Sequence, residues 1–148
     1  MTTPVTTPMT APMTTPMTTF DRLAALIRET LSLGDIEIRS EQLLFYDLGF
    51  TSLDLLDLLF RIEETMGIPV PEGTIYRLAR GDMPDEEFAD KGYLTSAGRE
   101  RLTALLADTP PNIFPERIHT QSLPRYCTVG AFVRLLDHLL DHLLEPLA

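Results

Sequence analysis

The chemistry legible in this chain gathers around one hydroxyl, that of Ser52. It stands in the run Asp47-Leu48-Gly49-Phe50-Thr51-Ser52-Leu53-Asp54. Thr51 and Asp54 have the Ser/Thr-x-x-Asp/Glu spacing of a capping box, which makes Thr51 the N-cap and Ser52 the first helical residue. A hydroxyl there stands exposed at the helix mouth, beside backbone N–H groups without an intrahelical acceptor. Those donors and the positive end of the helix dipole suit a phosphate esterified to Ser52. Gly49 permits a tight backbone approach just before the helix. Taken alone, the same residues also describe an ordinary helix start, as any Thr-Ser-Leu-Asp before an apolar run does. The run holds no histidine to activate the serine, and no general acid–base pair or metal set converges elsewhere, so an autonomous enzyme is disfavoured.

The elements that position this hydroxyl are helices. Leu23, Leu26, Ile27 and Leu31 recur at helical spacing, with Thr19 or Asp21 as the start and Gly34 as the close. A loop over 35–50 carries Ile36, Ile38, Leu43, Leu44 and Leu48 without a sustained period. Loops of that length are usually functional, and its apolar residues are expected to pack onto helices. A second helix is predicted from Ser52 to Met66, with Leu55, Leu58 or Leu59, Ile62 and Met66 as its buried stripe. Gly67 ends it, and Pro69 and Pro71 prevent resumption.

Over 73–124 the pattern is less regular. Ile75, Tyr76 and Leu78 fit a short helix ending at Gly81, and Asp85 to Asp90 a further turn. Thr95 is an N-cap for a helix through Leu106, and prolines 110, 111, 115 and 124 make an irregular connection. A last helix runs from Thr128 to about Leu144, with Phe132, Leu135 or Leu136, Leu139 and Leu143 inward, until Pro146. No segment alternates with period two for long enough to make a strand, so the expected class is all-α. Residues 1–19 form a degenerate Thr/Pro/Met repeat, read as a disordered tail outside an ordered unit at 20–148; Met9, Met13 and Met17 are alternative starts.

A net charge of −10 disfavours nucleic acid and anionic membranes and favours partners with basic patches. The lone Cys127 rules out an intramolecular disulfide and fits a reducing cytoplasm. Neither a membrane-spanning apolar run nor a secretory signal is expected.

Residues 45–72, FYDLGFTSLDLLDLLFRIEETMGIPVPE, resemble the attachment region of acyl carrier proteins. That family has a D-L-G-x-[DTH]-S-L-like segment, an acidic amphipathic helix, and a Gly/Asn–apolar–Pro exit. Asp47-Leu48-Gly49, Ser52-Leu53-Asp54, Glu63-Glu64 and Ile68-Pro69-Val70-Pro71 fall into this pattern without gaps. Thr128-Val129-Gly130 is similar to the start of the family's last helix. The resemblance implies an acyl-carrier-like four-helix bundle, with an added helical insert at about 73–124. It implies that Ser52 takes 4′-phosphopantetheine from coenzyme A through a phosphopantetheinyl transferase and is a substrate, not a catalyst. The arm's thiol would hold acyl groups as thioesters, loaded by ligases and unloaded by transferases or synthases of a specialised lipid or secondary-metabolite pathway. Two departures stand out. Thr51 replaces the aspartate many fatty-acid carriers have before the serine, and the connection from Pro71 to Thr128 is much longer than an ordinary carrier needs. Its segment Gly81 to Phe88 loosely resembles an insert of specialised carriers, including those for very long acyl chains.

Leu53, Asp57, Phe60 and Glu64 share one helix face, bordered by Glu63. Over 53–72, Asp54, Asp57, Glu63, Glu64 and Glu72 face only Arg61, a net −4. In the family such positions meet basic patches on partner enzymes, a monomeric carrier presenting them in turn; a merely solvated face is the alternative. An aromatic residue on an acidic face favours the interface. His138 and His142 have a metal-compatible spacing, but the duplicated DHLL turn reads more simply as a solvated face, and no metal site is expected. His119 is a lone loop histidine. Cys127, beside the last helix start, is either an activated thiol or, more simply, a small buried packing residue. Ile75, Tyr76, Leu78, Phe88, Tyr93 and Leu94 either line an enlarged acyl tunnel or form a satellite core. An aminoacyl or peptidyl carrier, or an unmodified carrier-like interaction domain, are the other functions open to this sequence.

Overall fold

A computed structural model describes residues 18–71 and 73–144, so the Thr/Pro/Met tail up to residue 17, Glu72 and Pro146 lie outside the described residues. Helix α1, Thr19–Leu31, begins at a capping box: Thr18 Oγ1 accepts from Asp21 N at 3.0 Å, and Asp21 accepts from Thr18 N. Thr18 and Thr19 thus belong to the ordered unit and not to the tail. The helix closes earlier than Gly34, at Ser32 in the left-handed region, where N–H groups return to Arg28 and Glu29 carbonyls. Leu23, Ala24, Leu26 and Ile27 are its buried stripe.

Helix α2, Ser52–Met66, has the predicted bounds and ends at Gly67. Leu58 and Ile62 are fully buried, while Leu55, Leu59 and Met66 pack half-buried beside them. Helix α3, Thr74–Arg80, stops at Gly81, and α4, Asp85–Phe88, is a single turn. Thr95 Oγ1 caps α5, Ser96–Leu105, through Gly98 N. Two 3-10 turns, Pro111–Ile113 and Thr120–Tyr126, lead to α6, Val129–Leu144. Helix α1 packs against both α2 and α6, while α3 and α4 pack on α5. Among the described residues no helix is long and apolar enough to cross a membrane.

The all-α expectation needs one correction. Strands β1, Ala89–Asp90, and β2, Tyr93–Leu94, form an antiparallel hairpin. Its two turn residues, Lys91 and Gly92, both take positive φ (52° and 87°), the pairing that matches hairpin twist. Strands of two residues are too short to show any alternation in the sequence. The hairpin is extended by Leu94 N donating to Ile118 O and Thr120 N donating to Gly92 O, both at 2.9 Å.

The long loop between α1 and α2 docks as expected, with Ile38, Leu43 and Leu44 buried, although Ile36 is 52% exposed. What holds it is backbone pairing with the start of α6. Val129 N donates to Gln42 O, Gly130 N to Ser40 O and Leu44 N to Cys127 O, around an isolated bridge between Leu43 and Thr128. From the other side, Asp108 accepts both guanidinium nitrogens of Arg134 (2.9 and 3.2 Å) and the Thr128 hydroxyl (2.9 Å). The Arg134 hydrogen bonds hold the Asp108 carboxyl below its ordinary value of 3.8 against the opposing effect of burial. A lowered carboxyl pKa stabilises the folded state above the unfolded value, and that contribution disappears as pH falls through the folded one. With both side chains well exposed it is worth at most about 1 kcal/mol.

Tight packing falls where α5 crosses the end of α4. A Cβ on Gly98 would lie 2.0 Å from the Phe88 carbonyl oxygen, which also accepts from Thr95 N. Overpacking costs about 1–3 kcal/mol, and Ala returns at most about 1 kcal/mol of helix propensity. Gly98→Ala should therefore lose about 2 kcal/mol in urea unfolding; an unchanged midpoint would show that α4 shifts freely. Asp108→Asn should lower Tm modestly at neutral pH, with the gap to wild type closing as pH falls below 3.8. A gap independent of pH would assign the loss to packing.

Candidate functional site

The mouth of α2 is built by reciprocal hydrogen bonds. Thr51 Oγ1 accepts from Asp54 N at 3.2 Å, while Asp54 Oδ2 accepts from Thr51 N at 2.9 Å and from the Thr51 hydroxyl at 3.0 Å. Ser52, the first helical residue, is exposed. The N–H groups of Ser52 and Leu53 have no acceptor among the described residues, leaving two donors beside the hydroxyl.

Upstream, Asp47 Oδ2 accepts from Leu43 N at 2.8 Å, and Asp47 N donates to Leu43 O at 2.9 Å. Phe50, buried, donates its N–H to Leu44 O. Asp47 is thus a loop latch and Phe50 the anchor that turns the chain into α2. Gly49 acts differently from the sequence expectation. Its φ is +76°, and a Cβ there would meet nothing within 4 Å, so the backbone dihedral and not a close approach requires glycine.

From Ser52 a cleft of about 680 Å³ runs between α2, α3, the second 3-10 turn and α6. Leu55, Leu56, Leu59, Val70, Phe132 and Leu135 supply much of its apolar wall. An exposed hydroxyl, free N–H donors and an adjoining apolar cleft fit a phosphate-linked arm with apolar cargo.

The predicted partner face is brought together. Leu53 (77%) and Phe60 (59%) are exposed together with Asp57, Glu63 and Glu64. Asp54 is the exception, because its carboxylate is occupied by the cap. Arg61 dilutes the acidic character by pairing with Asp57 at 3.3 Å and reaching across to Glu29 of α1 at 3.1 Å. Sequence reasoning missed Leu56, half-exposed between Leu53 and Phe60 at helical spacing, and Tyr46, 55% exposed before the motif. The three-and-four spacing of Leu53, Leu56 and Phe60 was the available signal.

His119 is not alone: its Nδ1 accepts from Gln121 N at 3.1 Å, and its ring meets Tyr93 edge-on. His138 and His142 are exposed, with Nε2 atoms 3.0 Å apart. Among the described residues no group of three or more His, Cys, Asp or Glu could hold a metal. Cys127 is buried, and burial pushes its thiol up to about 12, as befits a packing residue. The residues between α2 and α6 divide between the two expectations. Ile75 and Tyr76 line the cleft, Phe88 is fully buried in the core, and Leu94 packs half-buried against it.

The family described as "Phosphopantetheine attachment site" matches residues 21–80, which contain the α2 mouth. The chain is 38% identical over 71 residues to the acyl carrier protein AcpXL of Brucella melitensis, covering 47% of this chain and 76% of that one. For AcpXL of Rhizobium meliloti the identity is 37% over 71 residues, covering 47% and 75%. For an acyl carrier protein of Clostridium perfringens it is 36% over 53 residues, covering 36% and 70%. No solved structure matches. With the exposed serine, the cleft and these relatives together, the chain belongs to the acyl carrier proteins, whose attachment domain holds 4′-phosphopantetheine covalently.

Proposed function

We propose that the Ser52 hydroxyl is the acceptor of 4′-phosphopantetheine, transferred from coenzyme A by a separate phosphopantetheinyl transferase. The observation that carries this is the exposure of Ser52 as the first residue of a capped helix at the rim of an apolar cleft. The serine oxygen becomes the ester link to phosphate, and the N–H groups of Ser52 and Leu53 stand where they stabilise that charge. When attached, the arm supplies a thiol that holds acyl groups as thioesters. The chain's own contribution is to present the hydroxyl, shelter apolar cargo beside it and orient partners. The protein is accordingly a substrate of other enzymes.

From the Thr18 cap of α1 onward the chain acts as one carrier unit, a four-helix bundle bearing a helical insert at about 73–124. A single hydrophobic cluster supports this, since it joins Leu23 and Leu58 to Phe88, Leu102 and Leu136. The cargo belongs to a specialised lipid or secondary-metabolite pathway, with the large apolar cleft favouring acyl over aminoacyl groups. The monomeric carrier works in the cytoplasm. Loading ligases and unloading transferases or synthases dock basic patches on Asp57, Glu63 and Glu64 and apolar contacts on Leu53 and Phe60, with Asp54 serving through the cap.

Incubation with coenzyme A and a promiscuous phosphopantetheinyl transferase should add one arm to the intact mass, and none to Ser52→Ala. An unmodified wild type would make this an interaction domain only. Asp57→Lys and Glu64→Lys should slow loading on the order of tenfold at low ionic strength, with the gap closing as salt rises. Their helicity should not change, since the exposed Asp57–Arg61 pair is worth only about 0.3–0.5 kcal/mol. Loss of circular-dichroism signal would instead assign these acids to the fold.

A further inference from the structure

The second 3-10 turn puts Thr120, Gln121, Leu123 and Pro124 into the wall of the cleft that Ser52 rims. At its N-cap stands His119, whose Nδ1 accepts from Gln121 N at 3.1 Å. The backbone on either side of that bond is held by other means. Thr120 N donates to Gly92 O at 2.9 Å, Ser122 N donates to His119 O at 3.0 Å, and Leu123 is buried. Gln121 is exposed, so its amide is the point at which this wall depends on His119.

The imidazole is confined where it stands. A Cβ on Gly92 would lie 3.2 Å from its Nε2, and its ring meets Tyr93 edge-on with centroids 5.1 Å apart. The Arg117 guanidinium lies 3.9 Å from the centre of the same Tyr93 ring. Other charged groups around it are Asp90 and Lys91 of the hairpin, Glu116 before it, Arg125 of its own turn and Arg77 of α3, which packs on that turn. Among the described residues no carboxylate forms an ion pair with His119.

A ring nitrogen that accepts an amide N–H must be bare, so the cap exists only in the neutral imidazole with its proton on Nε2. In the imidazolium both nitrogens donate. Nδ1–H would then face the Gln121 N–H, and a second cation would join Arg117 at Tyr93 with no carboxylate to offset it. Histidine is the side chain whose ordinary titration falls between about pH 5 and 8.

We propose that His119 is a positioning residue for the Ser52 cleft, holding the Gln121 wall while neutral and releasing it when protonated. The setting of the arm beside that wall then follows pH. This last step rests on Ser52 being the attachment point, whereas the cap itself does not.

The test is magnetic resonance of the full, isotope-labelled chain carrying the arm, titrated from about pH 8 to about pH 5. At the upper end a nitrogen–nitrogen coupling across the hydrogen bond should join Gln121 N to His119 Nδ1. It should vanish as the imidazole protonates. The methyls of Leu55 and Leu59, which line the same cleft, and the phosphorus resonance of the arm should shift with the same midpoint. A phosphodiester does not titrate in this range, so its shift reports its surroundings. His119→Asn supplies a cap oxygen that stays uncharged, and its methyl and phosphorus shifts should keep their wild-type neutral positions throughout. His119→Ala removes the acceptor, and its shifts should sit at the wild-type acid positions throughout. Both variants keep His138 and His142 of α6, so a response common to all three proteins belongs to those imidazoles and overturns the proposal. Absence of the coupling at the upper end, or a cleft that stays still while His119 titrates, overturns it equally. Failure of the wild type to accept an arm would refute the Ser52 assignment, while the coupling and methyl signals would still decide the cap in the unmodified chain.

Discussion

The reciprocal bonds between Thr51 and Asp54 are the constraint on which the rest depends. They satisfy the cap and the third-position amide, and thereby leave the donors of Ser52 and Leu53 facing outward. A cap of this kind is worth about 1 kcal/mol, a small fraction of a domain's stability. Its larger consequence is geometric. By fixing where α2 begins, it decides that residue 52 stands at the mouth, that Leu58 and Ile62 face the core, and that Leu53, Asp57 and Phe60 face solvent. Moving the start by one residue would rotate every position on the helix by about 100°.

The cap alone could not hold the site against the core. The loop that delivers Thr51 is pinned at Asp47 and Phe50, and its earlier part pairs with the start of α6. Thr128, fully buried, joins that pairing to the Asp108–Arg134 cluster at the end of the α5 connection. Attachment site, last helix and added helices thus form one mechanical unit. The result is an exposed hydroxyl at Ser52 with an apolar cleft leading from it.

The sequence disclosed what is periodic or punctuated. Helix α2 was legible to its terminal residues because Thr51, Asp54 and Gly67 are local signals that tertiary packing did not override. Helices α3 and α5 followed from Gly81 and Thr95 in the same way. The β1–β2 hairpin was hidden because its strands are too short for alternation, and its Lys91-Gly92 turn carries no alternating flanks. The role of Asp47 was invisible for a different reason: its partner, Leu43 N, is a backbone group whose orientation only the folded loop fixes. Likewise the Asp108–Arg134 pair, which spans 26 residues, and the cleft, drawn from distant segments, have no signature in local pattern. The acidic face was legible by spacing, but the Arg61–Glu29 crossing that moderates it was not.

The central claim is that one outward hydroxyl, selected by the cap, receives the arm. Trypsin cleavage after Arg39 and Arg61 of the modified protein yields a peptide holding the hydroxyls of Ser40, Tyr46, Thr51 and Ser52. Fragment-ion localisation within that peptide tests the claim most directly. The expected result is the phosphopantetheine mass wholly on Ser52, with Thr51 untouched because its oxygen serves the helix. Modification at Thr51, Ser40 or Tyr46 would contradict it.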